Sequence, residues 1–265
     1  MSVVDLIAPL GGRIGPGSAL ASGPVHLPAA HEWMQGRTLY GGASALLAYT
    51  AAIRAFPDLP PLRAGQVAFV APVGDTVEFR TELVRAGRNV AQVRSELWCN
   101  GGLALSTFWL FGTAREANAI HAPAPLEPWP DLPPDALPVD KAPSFIRNNF
   151  ELRRAQAGRG PGAPVVRRWL RLREPTGLDP ISDLVLMGDT LPPGAMRAMQ
   201  RLGPISSINW SFNILEPEPQ SPNGWWLGET ATEWADHGYS SERLRLFSSD
   251  GRQVMAGMQS VAVFG

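Results

Sequence analysis

The stretch Gly42–Phe56, GASALLAYTAAIRAF, decides the fold of the first half of the chain. Its large apolar side chains recur at helical spacing, with alanine in most of the gaps. They are Leu46, Tyr49, Ile53 and Phe56. Glycines precede the run and Pro57 ends it, so the pattern predicts an amphipathic helix.

Four strand-like runs follow this helix, and each of the first three ends at a turn. They are Gln66–Ala71, Thr76–Val84, Val90–Cys99 and Leu103–Phe111. Asn100-Gly101-Gly102, between the last two, is a strong signal for a β-hairpin. An antiparallel sheet of this kind must bury one face, and the apolar helix is the partner that the sequence offers.

The second half of the chain repeats this order. A helix is predicted from about Pro180 to Leu191, and Pro192-Pro193 ends it. The four strand-like runs that follow are Ile205–Leu215, Trp225–Trp234, Tyr239–Phe247 and Val254–Phe264.

The two halves can also be aligned. When Asn100-Gly101 is placed on Asp250-Gly251, Arg88–Trp98 falls on Gly238–Ser248 without a gap. We interpret the agreement in order, turns and strand lengths as an internal repeat. The alternative is an antiparallel α+β domain without a repeat, which would show similar turns.

The predicted fold class is α+β, with two tandem hotdog units, in each of which a curled antiparallel sheet wraps around a central helix. The units are predicted to span residues 1–114 and 143–265, and a proline-rich linker is predicted over residues 115–142. Residues 1–24, rich in Gly, Ala and Pro, are predicted to form a loose lead-in.

The composition argues against several kinds of function. A net charge of -1 gives no general attraction to nucleic acid or to an anionic membrane surface. Cys99 is the only cysteine, so no internal disulfide can form, and no spacing of Cys and His predicts a metal site. The sequence lacks a signal-peptide pattern and an apolar run of roughly 18 residues. We therefore expect a cytoplasmic protein that neither holds a metal nor enters a membrane.

Asp189 is the strongest candidate for a catalytic side chain. The second helix carries an apolar stripe, with Ile181 and Val185 on it, and Asp189 falls on the same face. A carboxylate that faces the core is costly unless it is hydrogen-bonded or used. The alternative is an exposed aspartate near the end of the helix, since Pro192 follows closely.

Gln259 and the pair Ser206-Ser207 are the other candidates in the second half. Gln259 lies in a strand that is apolar on both faces, and a buried amide has several hydrogen-bond positions to fill. A structural glutamine bonded to a nearby loop is the alternative. Along Ile205–Leu215 bulky and polar residues alternate, so Ser207 faces away from the helix unless the strand bulges. Without a bulge, Ser206 is the better-placed hydroxyl.

The first half has no matching polar set. The repeat places apolar residues near the positions of Gln259, Asp189 and Ser207, namely Trp109, Ala45-Leu46 and Ala64. None of these side chains can transfer a proton. The chemistry is therefore expected in the second half.

These segments give the chain a resemblance to the double-hotdog acyl-CoA thioesterases of the thioesterase II type. The resemblance runs from about Pro24 to the end and rests on four short motifs in the family's order. They are QGRTLYGG at Gln35–Gly42, GDTL at Gly188–Leu191, ISSIN at Ile205–Asn209, and the hairpin from Asp250-Gly251 to Met258-Gln259. Ser207 stands where the family often has threonine, which leaves the substrate open.

The resemblance implies hydrolysis of the thioester of acyl-CoA, or of a related acyl thioester, without a cofactor, a metal or a covalent nucleophile. Asp189 would accept a proton from water, and Ser207 and Gln259 would hold that water in place. Backbone N–H groups near Gly41 and Gly42 would polarise the thioester carbonyl. A homodimer and a role in fatty acid metabolism are further expectations from the resemblance.

Arginines cluster in two alternating runs, Phe145–Gln156 and Val165–Arg173, which are predicted to form a hairpin ahead of the second helix. Arg167 and Arg168 are candidates for binding the phosphates of coenzyme A. A solvated strand face is an equally good interpretation of the same pattern.

Three other functions stay open. A hotdog enoyl-thioester hydratase or dehydratase would need a histidine paired with a carboxylate, and His237 beside Asp236 is the only local candidate. A non-catalytic acyl-CoA-binding protein of the same fold would bind without turnover. A serine hydrolase at Ser44 would use an incomplete nucleophile-elbow motif. The sequence does not determine the acyl chain length, the head group, or the choice between coenzyme A and a carrier protein.

Overall fold

The computed structural model describes residues 2–11, 23–156, 161–201 and 203–264. The elements of the first half are α1 (Val3–Ile7), β1 (Val25–His26), β2 (Met34–Gln35), β3 (Thr38–Leu39), α2 (Gly41–Ala55), β4 (Leu62–Phe69), β5 (Thr76–Ala86), β6 (Val90–Cys99) and β7 (Gly102–Gly112). Those of the second half are α3 (Ser144–Asn149), β8 (Phe150–Arg154), β9 (Val165–Leu172), α4 (Pro180–Met187), β10 (Ile205–Ile214), β11 (Trp226–Asp236), β12 (Tyr239–Ser248) and β13 (Gln253–Val263).

Eleven of the described strands form one antiparallel sheet, in the order β1-β5-β6-β7-β4-β10-β13-β12-β11-β9-β8. In each half, the four strands after the central helix stand in the order second, third, fourth, first. The two first strands, β4 and β10, pair antiparallel with each other, from Asn209 opposite Ala68 to Asn213 opposite Ala64. The halves therefore meet at an approximate twofold axis, and the prediction of two tandem hotdog units is confirmed.

The two central helices, α2 and α4, pack against each other on the inner face of the sheet. Helix α2 is buried along most of its length, which its many alanines allow because they take little room. Helix α4 begins at an N-cap, Asp179, whose carboxylate accepts hydrogen bonds from the backbone N–H groups of Ile181 and Ser182. Tyr40 stands at the same position before α2 and makes no side-chain cap there.

Several segments differ from the sequence-based expectation. The predicted lead-in begins with helix α1, capped by Ser2 and Asp5, whose apolar side chains join the core. Residues 12–22 of that lead-in lie outside the described residues. The run Phe145–Gln156 starts as helix α3, because Phe145 and Ile146 turn inward after Pro143, and only its second part is strand β8.

Helix α4 ends at Met187, four residues before the predicted end. The backbone N–H of Thr190 bonds to the carbonyl oxygen of Met187, three residues earlier, instead of to that of Leu186, so the α-helical pattern stops there. Asp189 therefore lies in the turn directly after the helix.

The segment predicted as a linker crosses the outside of the second half. Residues 113–143 contain no helix or strand apart from an isolated bridge between Ala136 and Arg153. Three apolar side chains of this segment belong to a second, smaller core with side chains of the second half: Leu126, Trp129 and Leu132. In the part of the chain that the structure describes, no helix is long and apolar enough to cross a membrane.

Candidate active site

A cavity of about 350 Å³ opens where the two halves meet. The first half lines it with Gln35, the segment from Arg37 to Leu39, Gly41, and the loop from Phe69 to Val73. The second half lines it with Asp189 and with Ile205–Ser207 at the start of β10. The segments that carry three of the four sequence motifs thus meet in one place.

Asp189 presents its carboxylate to this cavity from the turn after α4. Its Oδ1 accepts a hydrogen bond from Nε2 of Gln259. Burial raises the pKa of the Asp189 carboxyl to about 7, and the hydrogen bond from Gln259 opposes that rise. A carboxyl with a pKa near neutrality can both take up and release a proton at physiological pH.

Gln259 reaches Asp189 from the middle of the sheet. It lies on β13 between Trp210 of β10 and Glu242 of β12, and all three side chains are buried. Directly opposed residues of neighbouring strands share a face, so the amide points to the inner, helix-covered face. The partner of this amide is thus a carboxylate in the turn after α4, and a catalytic role of Gln259 stays a prediction.

Ser207 reaches the inner face because strand β10 bulges. Ser207 pairs with Val261 and Asn209 pairs with Ser260, which leaves Ile208 as the extra residue. The bulge reverses the alternation, so Ser207 shares a face with buried Val261. Ser206 also lines the cavity, but it is exposed on the opposite side of the strand.

Gly41 and Gly42 have different surroundings. A β-carbon at Gly41 would lie 2.1 Å from Oδ2 of Asp189, so the missing side chain makes room for the catalytic candidate. Gly41 lines the cavity, whereas Gly42 is buried behind it. A β-carbon at Gly42 would lie 2.1 Å from the Leu186 carbonyl oxygen, so this glycine permits close packing of α2 on α4.

Two domain families match the sequence of this chain. The acyl-CoA thioesterase N-terminal domain matches residues 29–112, and the acyl-CoA thioesterase C-terminal domain matches residues 123–263. The chain belongs to the acyl-CoA thioesterase family. The family predicted from the sequence motifs is thereby confirmed, and the protein is a thioester hydrolase.

Solved structures share the fold of this thioesterase. A hotdog-fold protein of unknown function from Alicyclobacillus acidocaldarius has a TM-score of 0.80 at 20% identity and covers 92% of this chain and 94% of its own. An acyl-CoA thioesterase II from Mycobacterium marinum has a TM-score of 0.69 at 17% identity, with 100% and 97% covered. A dehydratase domain from Pseudomonas fluorescens reaches 0.57 at 12% identity, with 94% and 95% covered. No curated protein matches the sequence.

Arg167 and Arg168 do not line the cavity of the thioesterase. They lie on β9, which is separated from β10 by three strands of the sheet. Arg167 donates from Nε to Oε2 of buried Glu229 at 2.5 Å, and Arg168 bonds to a backbone carbonyl. Burial lowers the pKa of Arg168 to about 10, with Arg154 and Arg197 adding to the effect. The geometry around these residues favours a structural role, and a contact with coenzyme A stays a prediction.

Arg37 is the arginine at the cavity, and the sequence reasoning did not single it out. It is exposed at the turn between β2 and β3, within the motif QGRTLYGG. A cationic residue four positions before Gly41 is a signal for an anionic part of the substrate.

The residues of the alternative functions lie elsewhere. The His237 side chain is 85% exposed in the hairpin between β11 and β12, and neither it nor Asp236 lines the cavity. Ser44 is buried inside helix α2, so a substrate cannot reach its hydroxyl.

Proposed function

We propose that this thioesterase hydrolyses acyl-CoA with Asp189 as the general base. Asp189 takes a proton from a water molecule while the water oxygen attacks the thioester carbonyl carbon. The carbon–sulfur bond then breaks, and the departing thiolate takes the proton from Asp189. The products are a free acid and a thiol. The observation that carries this proposal is the hydrogen bond from Gln259 to a cavity-lining carboxyl with a pKa of about 7.

Ser207 and the Gln259 amide are proposed to hold the attacking water. The bulge at Ile208 supports this role for Ser207, because it turns the hydroxyl toward the face that carries Gln259. Holding the water near the carbonyl carbon removes from the reaction barrier the entropic cost of bringing the two reactants together. A thioester is reactive enough for water to be the nucleophile once a base is in place.

The start of helix α2 is proposed to polarise the thioester carbonyl. The first N–H groups of a helix have no partner within the helix, and here Tyr40 provides no side-chain cap. Gly41 leads the backbone to the cavity without a side chain in the way. Such N–H groups stabilise the negative charge that develops on the carbonyl oxygen.

Thiol release from acyl-CoAs of graded chain length tests the proposal. We expect Asp189→Asn to lose activity by roughly 100-fold or more on every substrate that the parent hydrolyses. Asp183→Asn is the matched control, because burial also raises the pKa of Asp183, to about 6, while its carboxylate faces Thr176. An Asp189→Asn variant as active as the parent would remove Asp189 from the mechanism.

The same assay separates the remaining functions. A hydratase would add water to an enoyl-CoA without releasing thiol, and an acyl-CoA-binding protein would bind without turnover. We further propose a cytoplasmic homodimer that acts in fatty acid metabolism. The exposed side chain of Met258 on the outer face of β13 is an apolar contact available to a second copy. Light scattering of the purified protein tests whether it is a dimer.

A further inference from the structure

We propose that Tyr40 is a positioning residue, whose hydroxyl holds the turn that carries Asp189. This inference rests on the proposed function, since it assigns a task to Tyr40 only if Asp189 is the base. Tyr40 belongs to the first half, and the turn belongs to the second. One hotdog unit thus aligns the base of the other.

The Tyr40 hydroxyl makes its contacts on both sides of Asp189. It donates a hydrogen bond to the carbonyl oxygen of Leu186, and it lies 3.0 Å from Oγ1 of Thr190. Thr190 in turn donates from Oγ1 to the carbonyl oxygen of Met187 at 2.7 Å. These contacts join the last turn of α4 to the residue after Asp189, so the intervening backbone has little freedom to rotate.

The turn needs an outside donor at this point. The last carbonyl groups of a helix lack partners within the helix, and the Leu186 carbonyl is one of them. The backbone N–H of Thr190, which would bond to Leu186 in a continued helix, bonds to the carbonyl oxygen of Met187 instead. The phenol of Tyr40 supplies the donor instead.

Tyr40 is a buried residue with a polar hydroxyl group. Its side chain is fully buried, and its ring stacks on Phe145 with centroids 4.2 Å apart. Burial, and next the negative charge of Asp189, raise the pKa of the Tyr40 hydroxyl well above its ordinary value, so it keeps its proton. Gly42 leaves the space, because a β-carbon there would lie 2.4 Å from the Tyr40 oxygen.

Tyr40→Phe removes the hydroxyl and keeps the ring, and Tyr49→Phe is the matched control. Tyr49 is also a buried tyrosine, but it lies within α2 and packs on Trp109 and Phe111. We expect Tyr40→Phe to lower kcat roughly 10- to 100-fold with KM within about twofold of the parent. We expect Tyr49→Phe to leave both constants within about twofold.

The Asp189→Asn background distinguishes positioning from general damage. There, we expect Tyr40→Phe to have no further effect on the residual rate, since the group that it positions is already gone. Thr190→Val provides a second route, and its effect on kcat should overlap with that of Tyr40→Phe rather than add to it.

Equal activities of Tyr40→Phe and Tyr49→Phe, or an undiminished effect in the Asp189→Asn background, would overturn the role of Tyr40. An active Asp189→Asn variant would instead overturn the proposed function and the Tyr40 role together. If Tyr40→Phe does not fold, Thr190→Val decides by the same two comparisons.

Discussion

A β-carbon on Gly41 would lie 2.1 Å from Oδ2 of Asp189, so the backbone of one residue and the carboxylate of the other are in direct contact. Gly41 opens the central helix of the first half, and Asp189 follows the central helix of the second. The first half thus contributes space and backbone to the cavity. The second half contributes the carboxylate, whereas Arg37 comes from the first half.

Gly41→Ala should abolish most of the activity, because the added methyl group must displace the Asp189 carboxylate or the ring of Phe69. We expect kcat/KM to fall by roughly 100-fold, which is the loss of rate that a small displacement of a reacting group produces. Gly74→Ala is the control, since a β-carbon there would meet no atom within 4 Å. Equal activities of the two variants in the thiol-release assay would contradict the contact.

The pH dependence should follow the Asp189 carboxyl, whose pKa is raised to about 7 by burial. A base must be deprotonated, so kcat/KM should rise with pH and level off above about pH 8. Gln259→Met removes the hydrogen bond that lowers this pKa, and the midpoint should move to higher pH. Gln253→Met, on the same strand and bonded to Met255, should keep the parent midpoint. A midpoint that moves to lower pH in Gln259→Met would argue against this assignment.

The stability of the fold should also depend on Asp189. Its pKa is about 7 in the folded protein and near 3.9 in an unfolded chain, so folding favours the protonated form. The stabilising contribution is complete below about pH 4 and is lost as the pH rises through about 7. Asp189→Asn should therefore gain stability relative to the parent as the pH is raised, measured as urea midpoints at several pH values.

Asp250→Asn should show the opposite sign. The hydrogen bond from Ser248, together with Arg252, lowers the pKa of the Asp250 carboxyl. The ionised form is thus favoured by folding, and its contribution is lost as the pH falls. The variant should lose stability relative to the parent at neutral pH and recover toward it in acid. The same trend in both variants would mean that the pH effect does not come from these carboxyls.

The two serines at the start of β10 should differ in their effect on rate. Ser207→Ala should lower kcat roughly 10- to 100-fold, because it removes a donor from the inner face. Ser206→Ala should change kcat by less than about twofold, since exposed substitutions of this kind are usually mild. The opposite ranking of the two variants would show that the bulge at Ile208 does not select the active hydroxyl.

Arg37 and Arg167 should separate coenzyme A binding from structural support. Arg37→Ala should raise KM for acyl-CoA but not for the matching N-acetylcysteamine thioester, which has no phosphates. Arg167→Ala should leave both KM values unchanged and lower Tm, because buried Glu229 loses one of its partners. A raised KM for acyl-CoA alone in Arg167→Ala would instead support the contact expected from the sequence.

The fold could be predicted because its signals are local. The spacing of apolar residues in Gly42–Phe56 and the hairpin turns at Asn100-Gly101 and Asp250-Gly251 each depend on neighbouring residues. Their order then determined the repeat and the fold class. Two residues of the candidate site could be predicted for the same reason. A carboxylate on an apolar stripe and an amide in an apolar strand both stand out from their sequence neighbours.

The remaining features depend on contacts between distant residues. The bulge at Ile208 leaves no sign in the alternation of bulky and polar residues along β10. It is defined only by the pairing register of β10 with β13. The ion pair between Arg167 and Glu229 joins residues that only strand pairing brings together. The contact of Tyr40 could not be predicted from the sequence, because its acceptor, the Leu186 carbonyl oxygen, lies 146 residues later.

Strand β13 is synthesised after all the other described strands, yet it occupies an interior position between β10 and β12. While the ribosome has not released this strand, both neighbours expose unpaired edges, which are prone to association with other chains. Gln259 also arrives with β13, so the Asp189 carboxylate lacks its partner until then. A nascent chain that stalls before β13 is therefore expected to be inactive and to bind chaperones, rather than to be a weak enzyme.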